Sequence, residues 1–496
     1  MITTDLKKYL NGGSAYGRLM FLAGLLVAGP VVILPFYPSE FGHAIAFLLP
    51  AVISMSLGSI ISVVTYRHQE KTYEYQAPVQ RGSLPVLFVW LYSFLLGAVP
   101  LLFTGQLSLI QALFESVSGW TTTSITVLDI RTLPHIFLFY RSYIQFFGGI
   151  GFILVLSMFV RNRQTVSLYS AEGHTERVMP NVRKSAQLIF LIYSVLLIVG
   201  SLLYWICGVD FFDAVCQTMS AVSTAGFSTH PGGIATYDNL AIEIITIILM
   251  LIGASNFATL LVLTEGKLRR VFKSTEMRFM LGLVVVFVVP IAMTLFFDMK
   301  ESLGQSIRHA VFAVVSAFST TGYTTGSVHY TAWPPFALGL LMLLMCVGGS
   351  SGSTSGGIKL IRGYFILRIT RENVLRQLSS AIRTDAPTYN SVREKVEIDR
   401  SLVADTFSFL AIFFGILLVG TLLLTLTAGC SLFDAMFEFT AVLGTSGIST
   451  GLTNADTNAA TLCVEMAGMI LGRLEIFVVF YGLVAFVKRI KWALRK

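Results

Sequence analysis

Backbone carbonyls gathered around an axis can replace the water shell of an alkali cation, and tight turns of threonine, serine and glycine can present them. Four stretches of the chain carry such a turn in register: ALFESVSGWTTTSIT from Ala112, AVCQTMSAVSTAGFS from Ala214, AVFAVVSAFSTTGYT from Ala310 and AMFEFTAVLGTSGIS from Ala435. The turns themselves are Thr122, Thr123, Ser124 and Ile125; Thr224, Ala225, Gly226 and Phe227; Thr320, Thr321, Gly322 and Tyr323; and Thr445, Ser446, Gly447 and Ile448. One Thr/Gly bend after an apolar segment carries little information. Four at equivalent positions imply one shared filter that coordinates a cation.

A second set of residues follows the turns. Gly148-Gly149, Gly253-Ala254, Gly348-Gly349 and Gly472-Arg473 lie 24, 27, 26 and 25 residues after Ser124, Gly226, Gly322 and Gly447. An arginine within a hydrophobic span is costly, and Arg473 among small residues is expected to face the conduction path and oppose a passing cation. A plainer role is an ion pair with Glu115, Glu438 or Glu465. Gly348, Gly349, Ser350, Ser351, Gly352, Ser353, Thr354, Ser355, Gly356 and Gly357 form a run that no helix tolerates, because glycine and serine both disfavour one. That run predicts a movable loop. It is not a phosphate-binding loop, since Ile358 follows Gly357 and Leu360 follows Lys359 where the Gly-Lys-Ser/Thr signature is required.

The elements that position these residues are written in the composition. With 54% hydrophobic residues, 12% charged residues and a mean hydropathy of +0.74, the chain belongs in a bilayer. Ten apolar spans begin near Leu19, His43, Leu84, His135, Ala186, Leu240, Met277, Trp333, Leu402 and Thr461. The net charge of +8 reports orientation rather than nucleic-acid binding. If both termini share one side, every one of the 35 lysines and arginines except Arg131, Arg141, Lys300, Arg308 and Arg473 falls on it, which makes that side cytoplasmic. Cys207, Cys216, Cys346, Cys430 and Cys463 show no paired spacing and read as packing residues.

The expected fold is an all-α polytopic membrane protein in which four pseudo-fourfold helix–pore loop–helix repeats follow two N-terminal transmembrane helices. The divisions are 1–80 for the leading helices, 81–165, 166–270 and 271–398 for the first three repeats, and 399–496 for the fourth. The third repeat includes the interrupted helix and a polar connector from Lys359 to Arg400. That connector reads either as a solvated linker or as a docking surface for a regulator. The spans after the other three turns are read as continuous. Short half-crossing helices would aim their negative C-terminal ends at the axis, favouring a cation.

The four turns, together with Arg141-Ser-Tyr-Ile-Gln145-Phe-Phe-Gly-Gly-Ile-Gly151 and Gly472-Arg-Leu-Glu-Ile-Phe477, resemble the Trk/Ktr/HKT potassium transporter superfamily along essentially the whole chain. The two leading helices make the chain most similar to the ten-helix bacterial Trk membrane subunit. The resemblance implies potassium uptake through a channel-like pore in the bacterial inner membrane, multi-pass with both termini cytoplasmic. It also implies a homodimer and a cytoplasmic ring of regulatory subunits, through which alone a nucleotide would act. The Gly348–Gly357 loop is implied to be the intramembrane gate. Ser124 resembles the sodium-permeable plant relatives, so relaxed K⁺/Na⁺ discrimination is expected. Two other functions fit the composition. A Na⁺- or H⁺-coupled symporter would use Glu115, Glu243, Asp405, Glu438, Glu465 and Glu475. An intramembrane hydrolase would use Ser351 or Ser353, for which no histidine lies deep in a span.

Overall fold

The computed structural model describes residues 15–65, 78–151, 182–325, 330–378, 387–474 and 476–493. Both chain ends, His68, His174, His329 and Glu475 lie outside the described residues.

Proline shapes the first crossing. Helix α1 (Ala15–Ala28) tightens into a 3-10 segment over Gly29–Phe36, where Pro30 and Pro35 remove backbone donors. The chain then returns as α2 (Ala44–Thr65). These two helices touch closely because Gly17 and Gly58 face each other: a Cβ on either would overlap the other's backbone. Helix α3 (Pro78–Leu102) opens the first of four similar units.

Each unit places a short helix after a long one. In the first, α4 (Leu109–Trp120) leads to a turn and then α5 (His135–Ile150). In the second, α6 (Val182–Ile206) is followed by α7 (Phe211–Val222), α8 (Leu240–Gly253), α9 (Phe257–Thr264) and α10 (Leu268–Lys273). The third comprises α11 (Thr275–Asp298), α12 (Leu303–Ser319), α13 (Pro335–Val347) and α14 (Leu360–Leu378). A small antiparallel hairpin, β1 (Thr388–Asn390) with β2 (Lys395–Glu397), precedes the last unit. It pairs Tyr389 with Val396. The fourth unit comprises α15 (Arg400–Ala428), α16 (Leu432–Leu443), α17 (Ala459–Arg473) and α18 (Ile476–Ala493). All four short helices start at a hydroxyl or carboxylate cap, Ser108, Asp210, Ser302 and Ser431, which accepts a first-turn amide.

Polarity is inverted relative to a water-soluble domain. Leu426 and Phe297 are 79% and 65% exposed on long helices, whereas Ser116, Ser118 and Thr218 on the short helices are fully buried. Among the described residues, six helical segments are long and apolar enough to span a bilayer, or eight if each of two bent helix pairs is one span. Two of the spans expected to be continuous after the turns are broken. Helices α8 and α9 meet at 111° and α17 and α18 meet at 104°; α5 ends at Ile150, capped by Gly151 with φ at 101°, and the chain beyond it lies outside the described residues. The breaks fall at or just beyond the small-residue positions. There Ser255 and Asn256 end one helix and cap the next, Asn256 accepting from the Ala258 amide at 2.7 Å. The connector also differs from a simple linker, being α14 and the hairpin in its described part.

Candidate ion-coordination site

Contacts between helices run in a circle. Each short helix packs against the helix that follows it and against the corresponding helix of the preceding unit: α7 on α5, α12 on α8, α16 on α13 and, closing the circle, α4 on α17. The four turns therefore meet. A Cβ on Gly226 would overlap the Thr321 carbonyl oxygen, one on Gly322 that of Ser446, and one on Gly447 that of Thr123. The Ser124 hydroxyl lies 3.1 Å from the Cβ position of Gly226, completing the ring. Sequence spacing brought these residues into register, and packing brings them together.

Backbone geometry repeats with the same fidelity. Thr122, Thr224, Thr320 and Thr445 have φ of 58°, 50°, 58° and 50°. Two positions later Ser124, Gly226, Gly322 and Gly447 have φ of 70°, 100°, 82° and 66°. A β-branched residue at positive φ is a rare, strained state costing about 1–3 kcal/mol. Four of them at equivalent positions mark a conformation that the surrounding packing enforces. In every turn the third residue is half-buried while the two before it and the one after are buried, so one open line runs past Ser124, Gly226, Gly322 and Gly447. Ser124, Gly226 and Gly322 open into a cavity of about 470 Å³ that is also lined by Asp129, Arg131 and His230.

Hydrogen bonds behind the ring hold its shape. Ser118 donates to the Ile125 carbonyl at 2.6 Å and Ser316 to that of Tyr323 at 2.7 Å, equivalent bonds in two units. The position three after each aligned alanine reaches the residue two beyond the filter position. Thr126 donates to Glu115 at 2.9 Å, Gln217 to Ser228 at 2.6 Å and Ser449 to Glu438 at 2.7 Å. Ala313 cannot make this bond, so the third turn leans instead on Tyr323, whose hydroxyl donates to Gln217 of the second unit at 2.7 Å. Arg141 joins the first two units: its Nε donates to Glu115 at 2.9 Å, and its guanidinium lies 3.9 Å over the Phe227 ring. Arg308 on α12 does the same for the next junction, donating to Glu243 on α8 at 2.7 Å.

Gln145 is the supporting residue whose role the sequence reading missed. Its amide nitrogen donates to Ser124 Oγ at 3.0 Å, and its oxygen accepts from Ser220 at 2.9 Å and from the Phe227 amide at 3.2 Å. Ser220 in turn accepts from the Gly226 amide at 2.8 Å. The serine that replaces glycine is thus tied into the second unit's turn. Its motif position beside Arg141 was visible, but nothing local linked it to Ser124.

The Gly348–Gly357 loop lies against the threonine ends of the turns, with all but Ser351 and Gly352 buried. Backbone in an apolar environment must find partners, and this loop finds them in neighbouring units. The Ser350 amide donates to Ala254 O at 2.9 Å, and the Phe257 amide donates to Gly352 O at 3.1 Å. The Thr354 hydroxyl donates to Gly253 O at 2.9 Å and pairs with the Thr224 hydroxyl at 3.0 Å. The Gly356 amide donates to Thr320 Oγ1 at 3.0 Å. The loop therefore engages two of the four first-threonine hydroxyls, while Thr122 Oγ1 and Thr445 Oγ1 are buried with no hydrogen-bond partner. Lys359 donates to the Ser355 carbonyl, anchoring the loop to the start of α14.

Arg473 closes the loop from the other side. Its guanidinium donates to the carbonyls of Thr354, Gly148 and Gly149, the last at 2.8 Å. The carboxylates offered as its partners are engaged elsewhere: Glu115 by Arg141, Glu438 by Ser449, and Glu465 by the Thr453 hydroxyl at 2.6 Å. Helix breaks explain this: α17 ends at Arg473, so the side chain sits at a corner among carbonyls.

Comparison with known proteins gives a consistent picture. The TrkH family model, described as cation transport protein, matches residues 50–489. The Trk system potassium uptake protein TrkH of Halomonas elongata is 31% identical over 478 residues, covering 93% of this chain and 96% of that one. The protein of the same name from Escherichia coli (strain K12) is 29% identical, covering 92% and 94%. The crystal structure of the potassium transporter TrkH from Vibrio parahaemolyticus superposes with a TM-score of 0.79 at 26% identity, covering 94% of this chain and 98% of that one.

Proposed function

The chain belongs to the TrkH family of cation transport proteins, and from that premise we propose that it takes up potassium across the bacterial inner membrane through a channel-like pore. It is a multi-pass membrane protein, and its family makes it a transporter rather than a serine hydrolase. The observation that carries the reading is the closed ring of four turns with threonine and the third residue repeatedly at positive φ. Strain held identically in four places is best accounted for by oxygens that must face a common axis.

In this reading K⁺ passes Thr122–Ile125, Thr224–Phe227, Thr320–Tyr323 and Thr445–Ile448, coordinated by backbone carbonyls and, at the inner end, by threonine hydroxyls. Ser124 widens permeation to Na⁺, because its hydroxyl is pinned by Gln145 within the ring. The Gly348–Gly357 loop is the closed gate: it holds Thr224 and Thr320 hydroxyls that an ion would otherwise use. Arg473 adds a positive charge at the same level and clamps the loop through Thr354 O. A cytoplasmic nucleotide-binding regulator would open the gate by pulling α14, and two copies of the chain would form the working dimer, each with its own pore.

The coupled-carrier alternative needs carboxylates free to exchange protons. Of the six candidates, Glu115 and Glu243 are neutralised by Arg141 and Arg308, which removes two of them, while Glu438 and Glu465 are held by the hydroxyls of Ser449 and Thr453. Growth of potassium-uptake-deficient cells at low external K⁺ tests the substrate. Recording from reconstituted protein tests the mechanism: discrete unitary currents are expected, and flux that remains strictly coupled to a Na⁺ or H⁺ gradient would overturn the pore.

A further inference from the structure

On the side of the protein that carries its basic residues, a cavity of about 580 Å³ opens between the start of α11, the middle of α14 and the β hairpin. Three cations line it, Arg278, Arg368 and Lys395, and no carboxylate does. Their arrangement is built rather than incidental. Arg278 is fixed by donating to the carbonyls of Phe272 at 3.2 Å and Lys273 at 2.7 Å. Arg368 gives one terminal nitrogen to Glu372 at 3.0 Å, which orients the guanidinium, while its Nε is buried with no hydrogen-bond partner. A buried donor left unmade is costly, so such a group in a cavity wall is normally satisfied by what the cavity holds.

Further features suit the same occupant. Helix α11 begins here: Ser274 caps it, Thr275 lines the cavity, and its free amide end favours an anion. The hairpin is secured over the opening by the Asn390 amide, which donates to Thr275 Oγ1 at 3.0 Å. Tyr364, Phe279 and Tyr389 supply an apolar wall for the uncharged part of a ligand, with Tyr364 and Phe279 in edge contact at 5.8 Å. The nearby acids are Glu276 in the first turn of α11, which accepts from the Ser351 amide at 3.4 Å, Glu372, already committed to Arg368, and Glu394 and Glu397 on the hairpin, none of which lines the space.

We propose that this cavity binds a phosphate-bearing anion, with Arg368, Lys395 and Arg278 holding the phosphate and the aromatic wall holding the group attached to it. The shared chemistry admits two sources, the headgroup of an anionic phospholipid and free phosphate. Occupancy would brace α14 against α11 and the hairpin, at the helix whose first turn anchors the Gly348–Gly357 loop.

The test uses the full chain. Purified protein in neutral detergent is unfolded thermally while inorganic phosphate is titrated against chloride at matched ionic strength. In parallel, protein in phosphatidylcholine nanodiscs is compared with protein in discs containing phosphatidylglycerol. The wild type is expected to unfold at a higher temperature in at least one arm. A response to phosphatidylglycerol alone assigns the headgroup, and a response to phosphate assigns the free anion. Lys395→Gln, at an exposed strand position, and Arg368→Gln are each expected to weaken the half-maximal response about tenfold, as loss of a charge-assisted contact should. Absence of a shift in both arms, or variants that respond like the wild type, overturns the site.

Discussion

Replacing Thr354 by valine removes a hydroxyl while preserving shape, and it isolates the contact between the loop and the second unit's turn. The oxygen makes two good hydrogen bonds, to Gly253 O at 2.9 Å and to the Thr224 hydroxyl at 3.0 Å. Neither partner is stranded by the change: Thr224 is free to donate to Ser223 O, 2.8 Å away, and Gly253 O still accepts from the Thr354 amide at 3.3 Å. Two hydroxyl protons serve these contacts, and in the variant the Thr224 proton turns to Ser223 O, so the cost to the closed state is the net value of one bond, about 1 kcal/mol. If the displaced loop leaves Thr354 in water, a loss of about 1 kcal/mol shifts the open-to-closed ratio by roughly fivefold. The assay is ion flux into proteoliposomes without any regulatory subunit, normalised to protein incorporated, or open probability in planar bilayers. Thr354→Ser, which keeps the oxygen, separates the lost bonds from lost volume. Flux for Thr354→Val within about twofold of wild type would show that the loop does not close the path through these bonds.

Three other perturbations follow from the same geometry. Ser124→Gly relieves a side chain at positive φ, worth about 1 kcal/mol, but forfeits a Gln145 bond of similar value, so unfolding should change little while reversal potentials shift toward K⁺ selectivity; an unchanged permeability ratio removes the serine from the account. Arg473→Ala deletes both a positive charge and the donors to Thr354, Gly148 and Gly149, and should raise regulator-free flux; reduced flux at normal expression would assign the arginine a purely structural part. Arg141→Gln leaves the fully buried Glu115 without its counter-charge, which should destabilise the protein by about 3–5 kcal/mol in detergent unfolding, and Glu115→Gln in the same chain should recover much of that loss.

The sequence by itself determined that four turns are equivalent, where the long crossings begin, and that Gly348–Gly357 cannot be helix. Those properties are local: hydropathy acts over a span, and glycine, serine and threonine set backbone preference within a few residues. Even the capping signals at Ser108, Asp210, Ser302 and Ser431 are local and legible. Tertiary structure alone decided the rest. A window of about 20 residues averages over Ser255 and Asn256, so the sharp bends between α8 and α9 and between α17 and α18 did not register in hydropathy. Residues more than a hundred positions apart in sequence, such as Gly149 and Arg473 or Thr224 and Thr354, find each other only once the circle of helices closes. Whether Arg473 meets a carboxylate or a carbonyl depends on that closure, because the strength of a buried polar contact is set by distance and the sequence carries no distances between units.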